Sequence, residues 1–189
     1  MEQTKPKVNI FYSYSFIFME KLSVHAKMLF LYLSRLADRS GKCFPSQRRI
    51  ARCCKMSKAT VGNAIRELEQ AKVITRDKRL RCDGMQTSNW YKIKTTTTSW
   101  FYSYPYIFEM EISIYAKIIY IYFCRMADDK GTCFPSRKKI SLACGIGLTK
   151  VSETIKELED VGLIKRKTRF RSNNKGQTSN LYTVFSDID

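Results

Sequence analysis

The sequence predicts a mainly α-helical fold with a small β component (α+β), built from two tandem copies of one unit. The chain repeats itself at a fixed period: residues 23–38 match 113–128, and the motif GKCFPS at 41–46 returns as GTCFPS at 131–136. Within each copy, three helical patterns come before two extended ones. Because a fixed internal period is typical of a duplicated structural unit, both copies are predicted to have the same fold.

The boundary between the copies is predicted in the threonine run at 95–98. The tetrapeptide QTSN at 86–89 belongs to the first copy and returns, after a one-residue insertion, at 177–180. We therefore divide the chain into domains at 8–97 and 98–189, each of ordinary size for a small domain. The alternative is one domain with internal pseudosymmetry, which requires the two copies to share a core.

Each copy opens with an aromatic stretch, at 10–18 in the first copy, whose composition predicts a strand or an extended arm. Ser23 is placed to cap a first helix that runs to residue 38, because apolar side chains follow it at three- and four-residue intervals. Gly41 and Pro45 end this pattern and predict a turn.

The next two helices of each copy are closely spaced. Ser46 and Ser57 are suitable N-caps for a short second helix and for a third helix at 57–71. Two helices joined by a turn of about three residues form a helix-turn-helix. The second copy repeats the pattern with a third helix at 147–161, in which Gly147 is a weaker cap than serine.

A basic β-hairpin is predicted after the third helix. Residues 73–76 and 87–93 have strand composition, and a charged turn with a glycine lies between them at 81–84. The second copy repeats the hairpin between residues 163 and 185. Each copy is therefore predicted to be a winged helix-turn-helix domain, with a three-helix core, a β-hairpin wing and an N-terminal aromatic strand.

The composition favours a polyanionic partner. The formal charge is +17 and the isoelectric point is about 9.7, so both nucleic acid and an anionic membrane are candidates. The sequence contains neither a transmembrane-length apolar run nor the pattern of a signal peptide. We therefore expect a cytoplasmic protein.

The sequence offers little for catalysis or for a cofactor. The chain has one histidine and seven cysteines, and the cysteines lack the paired spacing of a zinc site. Their odd number, without a signal peptide, favours reduced thiols. Neither a glycine-rich phosphate loop nor a GxSxG motif is present. We expect a protein that is not an enzyme and that has no cofactor, no metal and no evident small-molecule ligand.

The outward positions near the start of the third helix are candidates for reading DNA bases. In a helix-turn-helix this helix enters the major groove, where lysine donates to guanine and asparagine pairs with adenine. Lys58 and Asn63 occupy such positions in the first copy, whereas Leu148 and Glu153 replace them in the second. The two copies should therefore prefer different half-sites.

Cations around the reading helices are suited to phosphates, which position a protein on DNA. The predicted DNA-binding residues of the first copy are Arg48, Arg49, Ser57, Lys58, Ala59, Thr60, Asn63, Arg66, Lys78, Arg79 and Arg81, with Arg76 as a further phosphate contact. Those of the second copy are Lys138, Lys139, Thr149, Lys150, Lys156, Lys167, Arg169 and Arg171.

The positive charge is unequally divided. Residues 1–97 carry 20 Lys and Arg against 7 Asp and Glu, or +13, and residues 98–189 carry 14 against 10, or +4. We therefore expect the first copy to supply more of the electrostatic affinity, and the second to supply more of the orientation or a partner contact.

The motif at 41–46, the Ser57 cap and the strand after the third helix resemble the winged-helix domains of bacterial transcriptional regulators and of plasmid or phage replication initiators. The resemblance covers both copies. It implies DNA binding, with base reading at Ser57, Lys58, Ala59, Thr60 and Asn63 and a wing at Lys78, Arg79 and Arg81. Fold alone does not separate transcription control from replication initiation.

Three further points stay open at the level of the sequence. A winged helix can also dock a protein partner, so a protein-interaction module is the alternative function.

The strand tyrosines can stack on unpaired bases, although we expect packing between the copies or between chains; they include Tyr12, Tyr14, Tyr102 and Tyr104. Two joined readers imitate a dimer, so a monomer or a homodimer should bind a bipartite double-stranded site with half-sites about one helical turn apart.

Overall fold

The computed structural model describes residues 9–80, 82, 84–85, 87–96, 99–170 and 176–186. The α-helices within these residues are α1 (Val24–Leu36), α2 (Gln47–Cys54), α3 (Lys58–Gln70), α4 (Ile114–Met126), α5 (Arg137–Cys144) and α6 (Leu148–Asp160). Two 3-10 helices, Ser15–Phe18 and Pro105–Phe108, follow the aromatic strands, so the predicted extended stretch at 10–18 is extended only in its first part. The strands are β1 (Phe11–Tyr14), β2 (Lys42–Cys43), β3 (Ile74–Asp77), β4 (Trp90–Ile93), β5 (Trp100–Ser103), β6 (Thr132–Cys133), β7 (Ile164–Lys167) and β8 (Leu181–Val184). No helix in this part of the chain is both long and apolar enough to cross a bilayer.

Each copy combines three helices with a small antiparallel sheet. The strand order is β2-β4-β3 in the first copy and β6-β8-β7 in the second. The two-residue strand β2 pairs with β4, where Lys42 lies opposite Lys92. This pairing connects the turn after α1 to the wing hairpin. The α+β winged helix-turn-helix fold predicted from the sequence is confirmed in both copies.

The helices begin at the predicted caps. The hydroxyl of Ser57 accepts a hydrogen bond from the backbone N–H of Thr60 at 3.0 Å, whereas Gly147 begins α6 without a side-chain cap. The first helix ends at Leu36, before the predicted limit at residue 38. The reason is that the Asp38 carboxylate accepts hydrogen bonds from two backbone N–H groups of the following turn, which competes with the helix.

The two aromatic strands pair with each other and join the copies. β1 and β5 are antiparallel, and Tyr12 lies opposite Tyr102, which is its counterpart in the repeat. Because two equivalent residues face each other, a pseudo-twofold axis passes between them. Reciprocal aromatic pairs flank the axis with ring centroids 5.1 Å apart, and these pairs are Phe18 with Tyr122 and Tyr32 with Phe108.

The two copies share one hydrophobic core. Buried side chains from both copies form a single cluster, and α1 contacts α4 within it. This is the arrangement that the alternative of one pseudosymmetric domain requires. The predicted boundary between residues 97 and 98 stays a prediction, because both residues lie outside the described part of the chain.

Two buried lysines connect each copy to the helix-turn-helix of the other. Lys27 in α1 donates from Nζ to the carbonyl oxygen of Ala143 in α5 at 2.7 Å. Lys117 in α4 donates to the carbonyl oxygens of Cys53 in α2 at 3.0 Å and of Phe108 at 2.9 Å. The last carbonyls of a helix lack partners within the helix and carry partial negative charge. Each ammonium group therefore satisfies one such carbonyl and holds the opposite helix in place.

The seven cysteines are free thiols, as the sequence predicts, and five of them are buried. Burial raises the pKa of the Cys43 thiol to about 12 and that of Cys133 to about 12. Within the described residues, no group of three or more His, Cys, Asp or Glu side chains is arranged to hold a metal ion. Most of these thiols therefore act as small apolar side chains of the core.

Replacing Lys117 by methionine should lower the free energy of unfolding by about 2–3 kcal/mol, because two buried carbonyl groups lose a charged donor. Lys27→Met removes the donor of one carbonyl and should cost about half as much. Chemical denaturation at neutral pH compares the two variants, which differ by little in volume from the parent. A larger loss for Lys27→Met would contradict the hydrogen bonds described above.

The buried thiols should make the protein sensitive to alkali. A thiol whose pKa is higher in the folded than in the unfolded state stabilises the fold fully below the unfolded value, 9.0, and loses this contribution as pH rises towards 12. The loss should reach about 1 kcal/mol per thiol near pH 10. Denaturation at pH 8 and near pH 10 should show a smaller decrease for the double variant Cys43→Ala, Cys133→Ala than for the parent. The exposed thiol provides the control, because Cys82→Ala should leave the decrease unchanged.

Candidate nucleic-acid interface

The third helix of each copy presents a polar face to solvent. On α3, Val61, Ile65 and Leu68 are buried in the core, and the opposite side carries the predicted reading residues. Lys58, Ala59, Asn63 and Arg66 are exposed, and Thr60 is half-buried. On α6, Leu148, Thr149, Lys150, Glu153 and Lys156 are exposed in the same way. The predicted reading faces are therefore accessible in both copies.

Carboxylates on the inner side of α3 fix its orientation. Glu67 accepts two hydrogen bonds from Ser23, the cap of α1: one from its backbone N–H at 2.5 Å and one from its hydroxyl at 2.6 Å. Glu69 pairs with Arg76 of β3 at 3.0 Å. The helix is therefore tied to α1 by one carboxylate and to the wing by another. Arg76 is exposed and keeps further N–H donors beside this ion pair, so its contact with phosphate stays a prediction.

The same two connections are present in the second copy. Glu157 accepts hydrogen bonds from the backbone N–H and the hydroxyl of Ser113 at 2.7 and 2.6 Å, and Glu159 pairs with Arg166 at 2.8 Å. In both copies the two glutamates in the second half of the third helix are bound by groups of the same copy. The exposed charge around the start of α3 is consequently positive.

The predicted base-reading positions of the two copies differ in the hydrogen bonds that they make within the protein. The guanidinium of Arg66 donates to Oδ1 of Asn63, which orients the amide and leaves its NH₂ group as a donor. At the matching place in the second copy, Lys150 and Glu153 form an ion pair at 3.0 Å. The first copy therefore presents a cation and an oriented amide, whereas the second presents a neutralised pair.

A groove lies between the helix-turn-helix and the wing of each copy. In the first copy it has a volume of about 570 Å³ and in the second about 650 Å³. The groove of the first copy is lined by Ser46, Gln47, Arg48, Ala51, Lys58, Thr87, Ser88 and Asn89. Sequence reasoning missed the contribution of the repeated tetrapeptide QTSN, although its recurrence at 177–180 was a usable signal.

The wing arginines rest on aromatic rings. The guanidinium of Arg79 lies over Phe44 at 4.8 Å and over Trp90 at 5.2 Å, measured to the ring centroids. In the second copy Arg169 lies over Phe134 at 4.7 Å. Phe44 and Phe134 are the aromatic residues of the repeated CFPS motif. The motif therefore has a second role besides forming a turn. Its aromatic ring holds an arginine of the wing, Arg79 or Arg169, beside the second helix of the copy.

The remaining predicted residues divide into four groups. Arg48 and Lys138 line the grooves beside the wings, and Arg49, Lys78 and Lys167 are exposed. Lys139 instead lines a cavity between the two copies, so its ammonium belongs to a different surface from the groove. Arg81 and Arg171 lie outside the described residues, and their assignment stays a prediction.

The strand aromatics pack where the two copies meet. Tyr12 contacts Trp100 edge to face, with ring centroids 5.2 Å apart, and Tyr102 contacts Tyr104 at 6.3 Å. Phe11 and Phe101 face the core and are buried. Of these contacts, that of Tyr12 with Trp100 joins the two copies, as expected, whereas Tyr102 and Tyr104 belong to the same copy and Tyr12 and Tyr102 are about half exposed.

Comparisons with known proteins agree with this arrangement. A family profile described as a helix-turn-helix domain matches residues 20–74 and 111–164, with one match in each copy. Among solved structures, a crystal structure of the Pi initiator protein in complex with iteron DNA matches with a TM-score of 0.55 and 10% sequence identity. This match covers 97% of the present chain and 100% of the other, and at this identity it concerns the fold. No curated protein matches the chain.

Replacing Glu67 by glutamine should lower the free energy of unfolding by about 1–2 kcal/mol, because charge-assisted hydrogen bonds to the cap of α1 are lost. Glu157→Gln should cost a similar amount through the matching bonds to Ser113. Denaturation experiments measure both, with Asp160→Asn at the exposed end of α6 as a control that should stay within about 0.5 kcal/mol of the parent. If the control costs as much as Glu67→Gln, the carboxylate does not anchor the helix.

Proposed function

Because the chain belongs to the helix-turn-helix domain family through both of its copies, we propose that it binds double-stranded DNA sequence-specifically, with α3 and α6 as reading helices. One observation carries the proposal most directly. In the first copy Glu67 and Glu69 are bound internally, while Lys58 and Arg66 are exposed on the same helix. A helix that turns its cations to solvent next to a basic wing is suited to a phosphate backbone.

The biological role that we propose is the initiation of replication at a plasmid or phage origin. The support is the likeness in fold to the Pi initiator protein, whose structure contains iteron DNA. That likeness extends over both copies of the present chain, so the tandem arrangement is part of it. Transcription control remains the neighbouring role for a protein that binds DNA in this way. In either role the protein acts in the cytoplasm as a binding protein and not as an enzyme.

The arrangement of the copies favours a bipartite DNA site. The pseudo-twofold axis relates the two reading helices, and the shared core with its buried lysines fixes one relative to the other. Two readers related in this way are suited to half-sites about one helical turn apart on one face of the duplex. The halves are unequal, because Lys58 and Asn63 of the first copy correspond to Leu148 and Glu153 of the second.

A second candidate function is the docking of a protein partner by the second copy. The observation that favours it is the reading face of α6, where Leu148 is 49% exposed and Lys150 is neutralised by Glu153. An exposed apolar residue beside a neutral ion pair is better suited to a protein surface than to phosphates. The first copy then supplies the DNA contacts, and the second copy holds the partner.

Selection of bound sequences from random double-stranded DNA by the full chain tests the proposal. The full chain is required because the copies share a core. The enriched sites should contain two unequal elements at a constant spacing. If about ten phosphates are engaged, log affinity should fall against log salt concentration with a slope of about −9. Binding that does not depend on salt, or sites without a common sequence, would contradict the proposal.

Alanine variants separate the two copies on a selected site. Lys58→Ala or Asn63→Ala should weaken binding by about 1–3 kcal/mol, because each removes a base contact. Leu148→Ala is the matched variant at the position of Lys58 and should change DNA affinity by less than about 0.5 kcal/mol. Electrophoretic mobility shifts with both half-sites measure these differences. A larger effect of Leu148→Ala than of Lys58→Ala would contradict the larger share of the affinity that we propose for the first copy.

A further inference from the structure

A cavity of about 730 Å³ lies between the two copies, away from both reading helices. We call it the inter-copy cavity, and the lining residues that matter here are Met19, Lys27, Tyr122, Arg125, Leu142 and Gly145. Met19 and Leu142 are 70% and 83% exposed, and Lys27 is nearly fully buried. The cavity therefore combines an apolar rim with cations at its wall, at a volume within the usual range of small-ligand sites.

The pseudo-twofold axis relates the inter-copy cavity to an equivalent position on the other side of the interface. At that position a side chain of the protein pairs with the arginine. Arg35 is the counterpart of Arg125, and Glu109 is the counterpart of Met19. Arg35 binds the carboxylate of Glu109 at 2.8 Å and lies over the ring of Phe108 at 5.6 Å. A second ion pair, between Lys55 and Glu111, lies on that side. A carboxylate is thus the group that this environment accommodates.

The inter-copy cavity keeps the cation, but Met19 replaces the carboxylate that pairs with it on the other side. Arg125 lies over Phe18 and Tyr122 at 5.9 and 6.0 Å, like its counterpart. Its Nε is buried without a hydrogen-bond partner, and a terminal nitrogen contacts the sulfur of Met126 at 3.4 Å. A buried guanidinium nitrogen without an acceptor is unfavourable. On the other side, a terminal nitrogen of the matching Arg35 has the carboxylate of Glu109 as its acceptor.

Lys27, the buried lysine of the cavity, also has fewer hydrogen-bond acceptors than its counterpart Lys117. Lys117 donates to two carbonyl oxygens, whereas the described residues give Lys27 one, that of Ala143. Gly145 stands where Lys55 stands on the other side, and its backbone approaches closely, since a Cβ there would lie 3.2 Å from the carbonyl oxygen of Leu22. The ion pair on the other side is therefore missing here, and the cavity stays open.

We propose that the inter-copy cavity binds a small amphiphilic carboxylate. Its carboxylate group accepts hydrogen bonds from Arg125, in the role that Glu109 has at Arg35, and its apolar chain contacts Met19 and Leu142. Glu20 also lines the cavity, which disfavours a ligand with several negative charges. This ligand site is independent of the proposed DNA binding, because none of its side chains belongs to a reading helix or a wing.

Titration of the full chain with decanoate, below its micellar concentration, tests the proposal by calorimetry. Decanol supplies the same chain without the carboxylate, and acetate supplies the carboxylate without the chain. Decanoate should bind at one site, and both controls should bind at least about tenfold more weakly, because each lacks one half of the recognition. Equal binding of decanol and decanoate, or no saturable binding of decanoate, would overturn the proposal.

Met19→Glu is the decisive variant. It places a carboxylate where the other side has Glu109, so an internal ion pair with Arg125 should weaken decanoate binding by about tenfold or more. Met19 is exposed, and the substitution should leave the fold intact. Met85→Glu makes the same change in charge at an exposed methionine of the wing and should bind decanoate like the parent. If Met19→Glu also binds like the parent, the site is not the inter-copy cavity.

Discussion

The antiparallel pairing of β1 with β5 is the interaction on which the rest of the structure depends. It brings equivalent residues face to face, and the resulting pseudo-twofold axis sets how α1 meets α4. Each of these helices carries one buried lysine that reaches the helix-turn-helix of the other copy. Because a buried ammonium group is costly unless it has acceptors, this geometry tolerates little displacement of one copy against the other. Two reading helices in a fixed relation are a consequence of that constraint.

The pseudo-twofold symmetry also explains at which positions the sequences of the two copies differ. Positions at the axis are kept in both copies, including the lysines and the aromatic pairs. Away from the axis, each copy meets different surroundings and the residues diverge. Glu109 and Glu111 form ion pairs on one side of the interface, and Met19 and Gly145 leave the other side open. Leu148 and Glu153 alter the exposed face of α6 in the same manner, which leaves α3 with the more basic exposed face.

The basic reading face depends on where the acidic side chains are bound. The charge of +17 is a property of the whole chain, and by itself it does not place any cation at a groove. Glu67 and Glu69 are directed into the first copy by Ser23 and Arg76, and the cations at the start of α3 remain at the surface. The aromatic residue of the CFPS motif supports this arrangement by holding a wing arginine near α2. Local charge therefore follows from packing as much as from composition.

The sequence by itself determined the elements of local origin. Serine caps, the helical spacing of apolar residues and the glycine and proline turns depend on neighbours within a few positions, so the helix-turn-helix and the wing of each copy were predictable, as was the duplication. The tertiary structure alone decided which distant groups meet. The pairing of the two aromatic strands joins residues far apart in the chain, and so do the hydrogen bonds from Lys27 to Ala143 and from Lys117 to Cys53. Such pairs are set by the packing of whole elements, which periodicity and composition do not encode.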